Sequence, residues 1–520
     1  MSLAKNISTV GGFTLLSRVF GLIRDLATAR YLGAGMAADA FVIAFKLPNF
    51  FRRLFAEGAF AVGFVPLFAR ALGKDITPES RAAAEAFAGR VLSWLLPVLV
   101  IFLIVMEVGM MPLMLGLTGG FDGNETKFNF VIELGRYTFP YLVLISLVSF
   151  FGGMLNAYGR YSAAAFAPVL LNITMIAALF FFGDSDIAAA RALAVGVSVA
   201  GIAQLILLYV SARRAGIRLK LPRPRLSNDV KELLIIIGPA AVGAGIMQIN
   251  LLIDVILAAR FLPEGSVTWL FYADRLNQLP LGAIGIAVGT VLLPSISRLL
   301  ASDDQKGANL QQNKAIEFSL FLTLPAAAAL AVIAGPILAT LFERGEFHAG
   351  DTSATAAALT VYALGLPAYV IAKTLTPGYF ARKDTKTPVC YAVIALVINT
   401  VLNIILIQYF AHVGLAAATA VAAWVNAGML FIGLKKRGHL TLLSETKSKI
   451  LKFTIASASM GAVVFFTSVQ LTPYFFEDGW VRILALASLV VLGGLCYLIS
   501  IFAVRAITVT EIKAFIGRAS

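Results

Sequence analysis

Residues 39–70 read DAFVIAFKLPNFFRRLFAEGAFAVGFVPLFAR, a run apolar enough to enter a bilayer that nevertheless holds Asp39, Lys46, Arg52, Arg53 and Glu57 and is broken by Pro48. A charged side chain in hydrocarbon costs ~2.5–3.5 kcal/mol on insertion scales, so five in one span need partners or a purpose. On a helix turning about 100° per residue, Asp39, Lys46, Arg53 and Glu57 fall within about 40° of one another, and Arg52 points elsewhere. Pro48 bends such a helix, so the alignment is approximate. The pattern is one polar stripe facing a wet interior, with lipid on the other side.

The rest of the chain has the same solvent preference. Of 520 residues, 59% are hydrophobic and 13% charged, with a mean hydropathy of +0.87. That balance excludes a soluble domain and implies an all-α polytopic membrane protein, since a helix satisfies its own backbone in lipid. The formal net charge of +14 does not indicate nucleic acid, because Lys and Arg sit in short loops between apolar runs. Cys390 and Cys496 both lie within apolar runs, which argues against a disulfide framework or a thiolate metal site. His348, His412 and His439 show no zinc spacing. The first apolar run is interrupted by Arg18 and Arg24 and lacks a clear small-residue cleavage site, so it reads as a first span rather than a signal peptide.

Apolar runs predict fourteen transmembrane helices, near 8–32, 37–70, 87–117, 131–156, 164–183, 188–212, 233–261, 267–300, 314–342, 354–380, 388–410, 413–434, 450–470 and 481–504. The second and eighth are too long for one straight crossing. One set of loops carries Arg70, Lys74 and Arg81, then the six cations from Arg213 to Arg225, then Arg382, Lys383 and Lys386, then Lys435, Lys436 and Arg437. The other set is acidic, with Asp122, Glu125, Asp184, Asp186, Glu264, Glu343, Glu346 and Asp351. The basic set is expected in the cytoplasm, which places both termini there.

An internal repeat organises the spans. Ala29-Arg30-Tyr31-Leu32 resembles Ala259-Arg260-Phe261-Leu262 at a shift of 230, Lys46-Leu47 resembles Arg275-Leu276 at 229, and Pro66 and Arg70 match Pro294 and Arg298 at 228. Gly159-Arg160-Tyr161-Ser162 loosely resembles Arg382-Lys383-Asp384-Thr385 at 223. Near-constant shifts in one order predict two pseudo-symmetric six-helix lobes, residues 1–217 and 218–440. The second begins with a basic linker stiffened by Pro222 and Pro224, and residues 441–520 add two further helices.

Arg18, Arg24, Lys46, Arg52, Arg53 and Arg275 set against Asp25, Asp39, Glu57 and Asp274 leave two uncompensated cations if the polar faces of spans 1, 2 and 8 meet in a cleft. The acids would hold the cations in position, because an unpaired buried charge is costly. Arginine grips phosphate through two parallel hydrogen bonds, so the excess suits a dianionic ligand such as a pyrophosphate. The plainer alternative is a set of satisfied ion pairs with snorkelled end residues. Glu133 and Arg136, three apart, read as a pair of that plain kind. Asp254, Asn399, Asn403 and Thr419 are intramembrane oxygen-bearing groups; they suit Na+ or interhelical hydrogen bonds equally. No metal motif, nucleophile triad or Walker-type loop is present, so an enzyme is not expected and transport would be secondary.

The stretches SRVFGLIRD (17–25), GAGMAADAFVIAFKLPNFFRRLFAEGAFAVGFVPLFA (33–69) and YADRLNQLPLGAIGIAVGTVLLPSIS (272–297) resemble the MurJ (MviN) family of lipid II flippases, of the multidrug/oligosaccharidyl-lipid/polysaccharide exporter superfamily. The resemblance covers the whole chain. It implies two lobes in a V shape, with two extra C-terminal helices forming a groove for a polyprenyl tail. It also implies alternating-access transport of the undecaprenyl-pyrophosphate disaccharide-pentapeptide precursor of peptidoglycan across the bacterial cytoplasmic membrane. Membrane lipids and the cell-wall synthesis machinery are the further partners it implies.

The family's cavity charges match Arg18, Arg24, Asp39, Lys46, Arg52, Arg53, Glu57, Asp274 and Arg275, which restores Arg52 to the set. A sodium site found in some members resembles Asp254, Asn399, Asn403 and Thr419, but Asn403 stands where some relatives carry a carboxylate. No cofactor is expected; Na+ or the membrane potential would couple transport. Rival readings are a polysaccharide-lipid or drug exporter of the same superfamily, a membrane glycosyltransferase acting on the same lipid, and a non-transporting scaffold. A cation exporter would carry excess acid in its cleft, and a glycosyltransferase would need an essential carboxylate near an outer-face groove.

Overall fold

The computed structural model describes residues 3–53, 60–475 and 479–506, and every regular element among them is helical. In chain order these are α1 (Leu3–Leu32), α2 (Met36–Phe51), α3 (Phe60–Leu72), α4 (Pro78–Val108), α5 (Met110–Thr118), α6 (Glu125–Thr138), α7 (Tyr141–Ala157), α8 (Ser162–Phe182), α9 (Asp186–Arg214), α10 (Asn228–Phe261), α11 (Ser266–Ala301), α12 (Gln305–Val332), α13 (Ala334–Leu341), α14 (Ala349–Phe380), α15 (Lys386–Lys436), α16 (Ser444–Gln470), α17 (Thr472–Phe475) and α18 (Trp480–Ala503).

Several predicted spans are interrupted where local chemistry interrupts a helix. The run 87–117 is divided at Gly109 into α4 and α5, and the run 131–156 is preceded by a full extra turn and broken at Phe139-Pro140. α15 is 51 residues long, roughly 76 Å at 1.5 Å per residue against a hydrocarbon core of about 30 Å. Ala411, at φ 48°, breaks it into two halves that coincide with the two spans expected there. Gly414 is needed at this corner, because a Cβ would lie 2.4 Å from the Leu406 carbonyl oxygen. Helix starts follow the capping residues: Thr77 and Ser80 form a capping box at α4, and Ser185 and Asp304 cap α9 and α12.

Nine helical segments among the described residues are long and apolar enough to cross a bilayer by length and composition. The charge-bearing α1 and α2, together with α10 and α11, fall outside that set.

Two compact units emerge, Met1–Thr268 with Arg344–Phe347, and Trp269–Glu343 with His348–Ser520. Contact and repeat divide the chain at different places. α10 opens the second lobe expected from the sequence and packs on α3 in the first unit, where Leu233 and Ile237 lie against Gly63. In the first unit α8 packs on α1 and α9, and α2 packs on α6 and α9. Its interior holds a group of buried aromatic rings, with Phe64 stacked 5.8 Å from Phe87 and tilted against Phe150 at 4.9 Å. Arg30 O, at the end of α1, accepts from Glu346 N of the inserted segment at 3.0 Å.

In the second unit α12 is central, packed on α14 and α16, while α16 also packs on α18. Ile316, Leu320, Leu375, Leu430, Phe453 and Leu489 form a shared core that seats the C-terminal helices on this unit. Polar pins fix the seat. Glu317 accepts from Thr446 Oγ1 at 2.5 Å and pairs with Lys449 at 3.3 Å, and Tyr497 donates to Phe321 O at 2.6 Å. The opposite faces of α16 and α18 remain apolar and exposed, including Phe466, Leu484 and Val491.

Candidate functional site

The charged residues picked out in the first unit separate into two local systems. The first lies at the N-terminal end of α2. Asp39 occupies its first turn, where the helix dipole favours an acid, and the side chain is only 3% exposed. Its carboxylate accepts from Gly265 N at 2.8 Å, from Thr268 N at 3.0 Å and from Thr268 Oγ1 at 2.8 Å. Those amides are among the otherwise unsatisfied donors at the start of α11, so Asp39 caps a helix that begins more than two hundred residues downstream.

The counter-charge is Lys127 of α6. Its ammonium lies 3.4 Å from Asp39 Oδ2, 3.9 Å from Glu264 Oε2 and 4.6 Å from the Phe121 ring centre. Its backbone is held where α6 starts, because Lys127 N donates to Asn124 Oδ1 at 3.0 Å. A lysine whose side chain is 7% exposed, bound by two acids and an aromatic face, is a fixed charge rather than a snorkelled one. Beside the pair lies a cavity of about 160 Å³ lined by Asp39, Phe121, Asn124, Lys127, Leu262 and Glu264 among others.

The second system is in the C-terminal third of α1. Arg24 donates through Nε and Nη2 to Asp25 Oδ1, at 3.1 and 2.6 Å. Its Nη1 donates to Asn172 Oδ1 of α8 at 3.0 Å, and Asn172 Nδ2 donates to Ser17 O at 3.0 Å. The amide therefore ties α8 to α1 and sets the plane of the guanidinium. Arg24 and Asp25 are both buried, a pair that is neutral as a whole while its arginine keeps the geometry suited to a phosphate.

The remaining candidates are spread along the helices. Arg18 is exposed on α1, Lys46 is half-buried on α2, and Arg53 is exposed just beyond it. Arg52 is half-buried and donates to Asn49 Oδ1 at 3.1 Å. Asp274 and Arg275 are half-buried on α11 in the second unit, where Asp274 accepts from Gln278. Glu57 lies outside the described residues. Glu133 does not pair with Arg136; it accepts from Arg191 of α9 at 2.7 and 3.0 Å, because α6 turns that face toward α9.

Asn399, Asn403 and Thr419 come together across the two halves of α15. Asn403 Nδ2 donates to Asn399 Oδ1 at 3.1 Å, and Asn399 Nδ2 donates to Thr419 Oγ1 at 3.2 Å. Both asparagines are buried. Their neutral oxygens have the hard-donor chemistry that Na+ takes, and an ion would compete with hydrogen bonds that already join the halves. Asp254, the carboxylate of that candidate set, is half-buried on α10 in the first unit.

Lys127 and Asn172, which hold the two acid–base systems in place, escaped the sequence reading. Lys127 had one visible signal, a cation in a loop set that is mostly acidic. Asn172 had only its polarity within the apolar run of α8.

Comparison with known proteins bears on this geometry. A family model described as lipid II flippase MurJ matches residues 28–502. A probable lipid II flippase MurJ of Rhizobium tropici is 44% identical over 478 residues, covering 91% of this chain and 88% of that protein. The corresponding protein of Rhizobium meliloti (strain 1021) is 46% identical over 470 residues, covering 89% and 86%. A solved lipid II flippase MurJ in an inward closed conformation superposes with a TM-score of 0.76 at 27% identity, over 94% of this chain and 97% of that one. An inward-facing MATE multidrug transporter of the MOP superfamily superposes at 0.67 with 16% identity, covering 82% and 98%, which is a likeness of fold.

Proposed function

The chain belongs to the MurJ family of lipid II flippases, a transporter and not an enzyme, and we propose how its polar residues serve that transport. It is an all-helical, multi-pass membrane protein of that fold, and its relatives are bacterial inner-membrane proteins. The proposed topology has fourteen crossings, two lobes of six and a C-terminal pair, with both termini and the basic loops in the cytoplasm. The nine apolar segments support it: α15 counts twice, and α1, α2 with α3, α10 and α11 bring the count from ten to fourteen.

In this reading Arg24 is the centre of a site for the substrate's pyrophosphate, with Arg18, Lys46, Arg52, Arg53 and Arg275 as further cations. The observation that carries it is the buried guanidinium of Arg24, oriented by Asn172 and neutralised by Asp25. An arriving pyrophosphate offers the guanidinium a second acid, and exchange between Asp25 and phosphate makes binding reversible in a low-dielectric site. Asp25, Asp39, Glu57 and Asp274 act as gating partners of the cations. Release of the Asp39 cap on α11 accompanies alternating access. The disaccharide-pentapeptide follows the pyrophosphate, while the polyprenyl tail stays in lipid along the exposed apolar faces of α16 and α18.

The membrane potential is the proposed drive for the return step, because it exerts ~2.3 kcal/mol per elementary charge per 100 mV on uncompensated cations. Asn399, Asn403 and Thr419 would hold a Na+, whose charge would add to the same drive. Membrane lipids and the cell-wall synthesis machinery are the further partners in this reading.

A vesicle assay that reports outer-leaflet lipid II tests the site. Arg24→Ala and Arg275→Ala are expected to abolish flipping with normal insertion, Arg24→Ala with a lowered melting temperature because it breaks the buried pair with Asp25. Undiminished transport in both would remove the cations from the mechanism.

A further inference from the structure

The last turn of α9 and the segment that joins it to α10 are short of acids and rich in bases, with Arg213, Arg214, Arg218, Lys220, Arg223 and Arg225 and no Asp or Glu from 213 to 228. A run of that composition reads as a flexible linker, but the structure holds it down. Arg81 of α4 donates to Ala215 O at 2.9 Å while stacking on the Tyr158 ring. Ile217 is 2% exposed beneath it. The Lys220 carbonyl lies so close to Gly89 of α4 that a Cβ there would sit 2.2 Å from it. Arg90 pairs with Asp229 at 2.5 Å and Arg70 with Glu232 at 2.7 Å, which closes the far end. Pro222 and Pro224 restrict the backbone between these anchors.

The other side of this strap is open. All six cations are exposed, and among the described residues none has an ion-pair partner. Leu221, between them, and Leu226, just after Arg225, are 60% and 50% exposed. The level of the strap is set by α4: its contacts fall on residues 81–90, and the uncharged apolar run of that helix begins at Val91. The strap therefore lies where lipid headgroups begin.

We propose that residues 213–226 form a preorganised binding surface for the acidic phospholipid headgroups of the leaflet they face, with the six cations gripping phosphates and Leu221 and Leu226 entering the interface. A polybasic segment gains about fivefold in partition per Lys or Arg at an anionic surface, an effect that salt screens. Fixing the segment beforehand removes the ordering cost that a free linker would bear. The family's transport reading enters only through the assignment of this leaflet as cytoplasmic.

The test uses the full chain with Leu221→Cys, Cys390→Ser and Cys496→Ser, carrying an environment-sensitive dye at 221, in vesicles of phosphatidylcholine with or without phosphatidylglycerol. Phosphatidylglycerol is expected to shield the dye from an aqueous quencher, and high salt to reverse the shielding. Adding Arg218→Gln, Lys220→Gln, Arg223→Gln and Arg225→Gln should abolish it by removing charge. Gly89→Leu should weaken it by displacing the strap with every charge retained. Melting temperatures in detergent identify any variant that misfolds. Equal shielding in both lipids, shielding that survives the Gln substitutions, or equal shielding by inorganic phosphate in phosphatidylcholine would overturn the proposal. Quencher added before and after permeabilisation reports which leaflet the strap faces, so an error in orientation is read separately from an absence of lipid binding.

Discussion

Asp39 and Thr268 stand 229 residues apart in the chain and are joined by two hydrogen bonds, from the Thr268 amide at 3.0 Å and its hydroxyl at 2.8 Å, both to Asp39 Oδ1. The same offset in sequence separates Lys46 from Arg275. Asp39 in the first turn of α2 thus caps the start of α11, and the Lys127 ammonium lies 3.4 Å from the capping carboxylate.

The pair predicts non-additive substitutions. Asp39→Asn leaves Lys127 buried with only Glu264, at 3.9 Å, as its acid, and Lys127→Met removes the cation beside Asp39. Each is expected to cost about 3–5 kcal/mol, as for other broken buried pairs. The double variant should recover part of that loss, with a coupling of roughly 0.5–3 kcal/mol in a thermal-melting cycle. Strict additivity would show that the two charges do not depend on each other.

Asn172→Leu should lower flipping at a modest cost in melting temperature, because it frees the Arg24 guanidinium to rotate and removes one charge-assisted hydrogen bond, worth roughly 1.5–3 kcal/mol, and one neutral one, worth about 1 kcal/mol. Arg24→Lys should not replace arginine, since an ammonium lacks the two-pronged geometry. If Arg24→Lys flips lipid II at the native rate, charge alone suffices and the orientation set by Asn172 is irrelevant.

Asn403→Asp adds a negative oxygen ligand beside Asn399 and Thr419 and should make transport more responsive to Na+ than in the native chain. Transport is measured in sodium and in choline media at a fixed membrane potential. An unchanged sodium response would remove these residues from ion coupling.

The loops at one end of the second unit carry a pH dependence. The Thr387 hydroxyl and amide, together with Arg437, hold the Asp384 carboxyl at about 2, below its ordinary 3.8. A depressed acid contributes stability above its unfolded value, and that contribution is lost as pH falls from about 4 to about 2. Burial, with Arg382 and Arg437 nearby, holds His439 below its usual 6.5. The folded chain therefore resists protonating His439, and stability should decline as pH falls below about 6.5. His439→Gln should flatten the melting curve between pH 7 and 5, and Asp384→Asn should flatten only the more acidic limb. A native slope between pH 7 and 5 in His439→Gln would assign it to another group.

Much of the architecture was legible before any coordinate. The two spans on either side of Ala411 were visible as apolar runs at 388–410 and 413–434, although one helix assignment covers both. The interruption at Gly109 was not visible, because a glycine amid hydrophobic residues leaves hydropathy almost unchanged. At the site, periodicity on α2 marked Asp39 as improbable but offered Lys46 and Arg53 as its company. The carboxylate is bound instead by Lys127, 88 residues away.

The sequence by itself determined the solvent of each segment, the sign of each loop and the membership of the chain in its family. These are properties of composition along one dimension, and a helix in lipid satisfies its own backbone without reference to its neighbours. The tertiary structure alone decided which charges meet: Asp39 with Lys127 and the start of α11, Arg24 with Asn172, and the basic linker with α4. Such pairings depend on how each helix is rotated and where it is broken. Those are set by packing between helices distant in the chain, which the spacing of residues on any one helix does not encode.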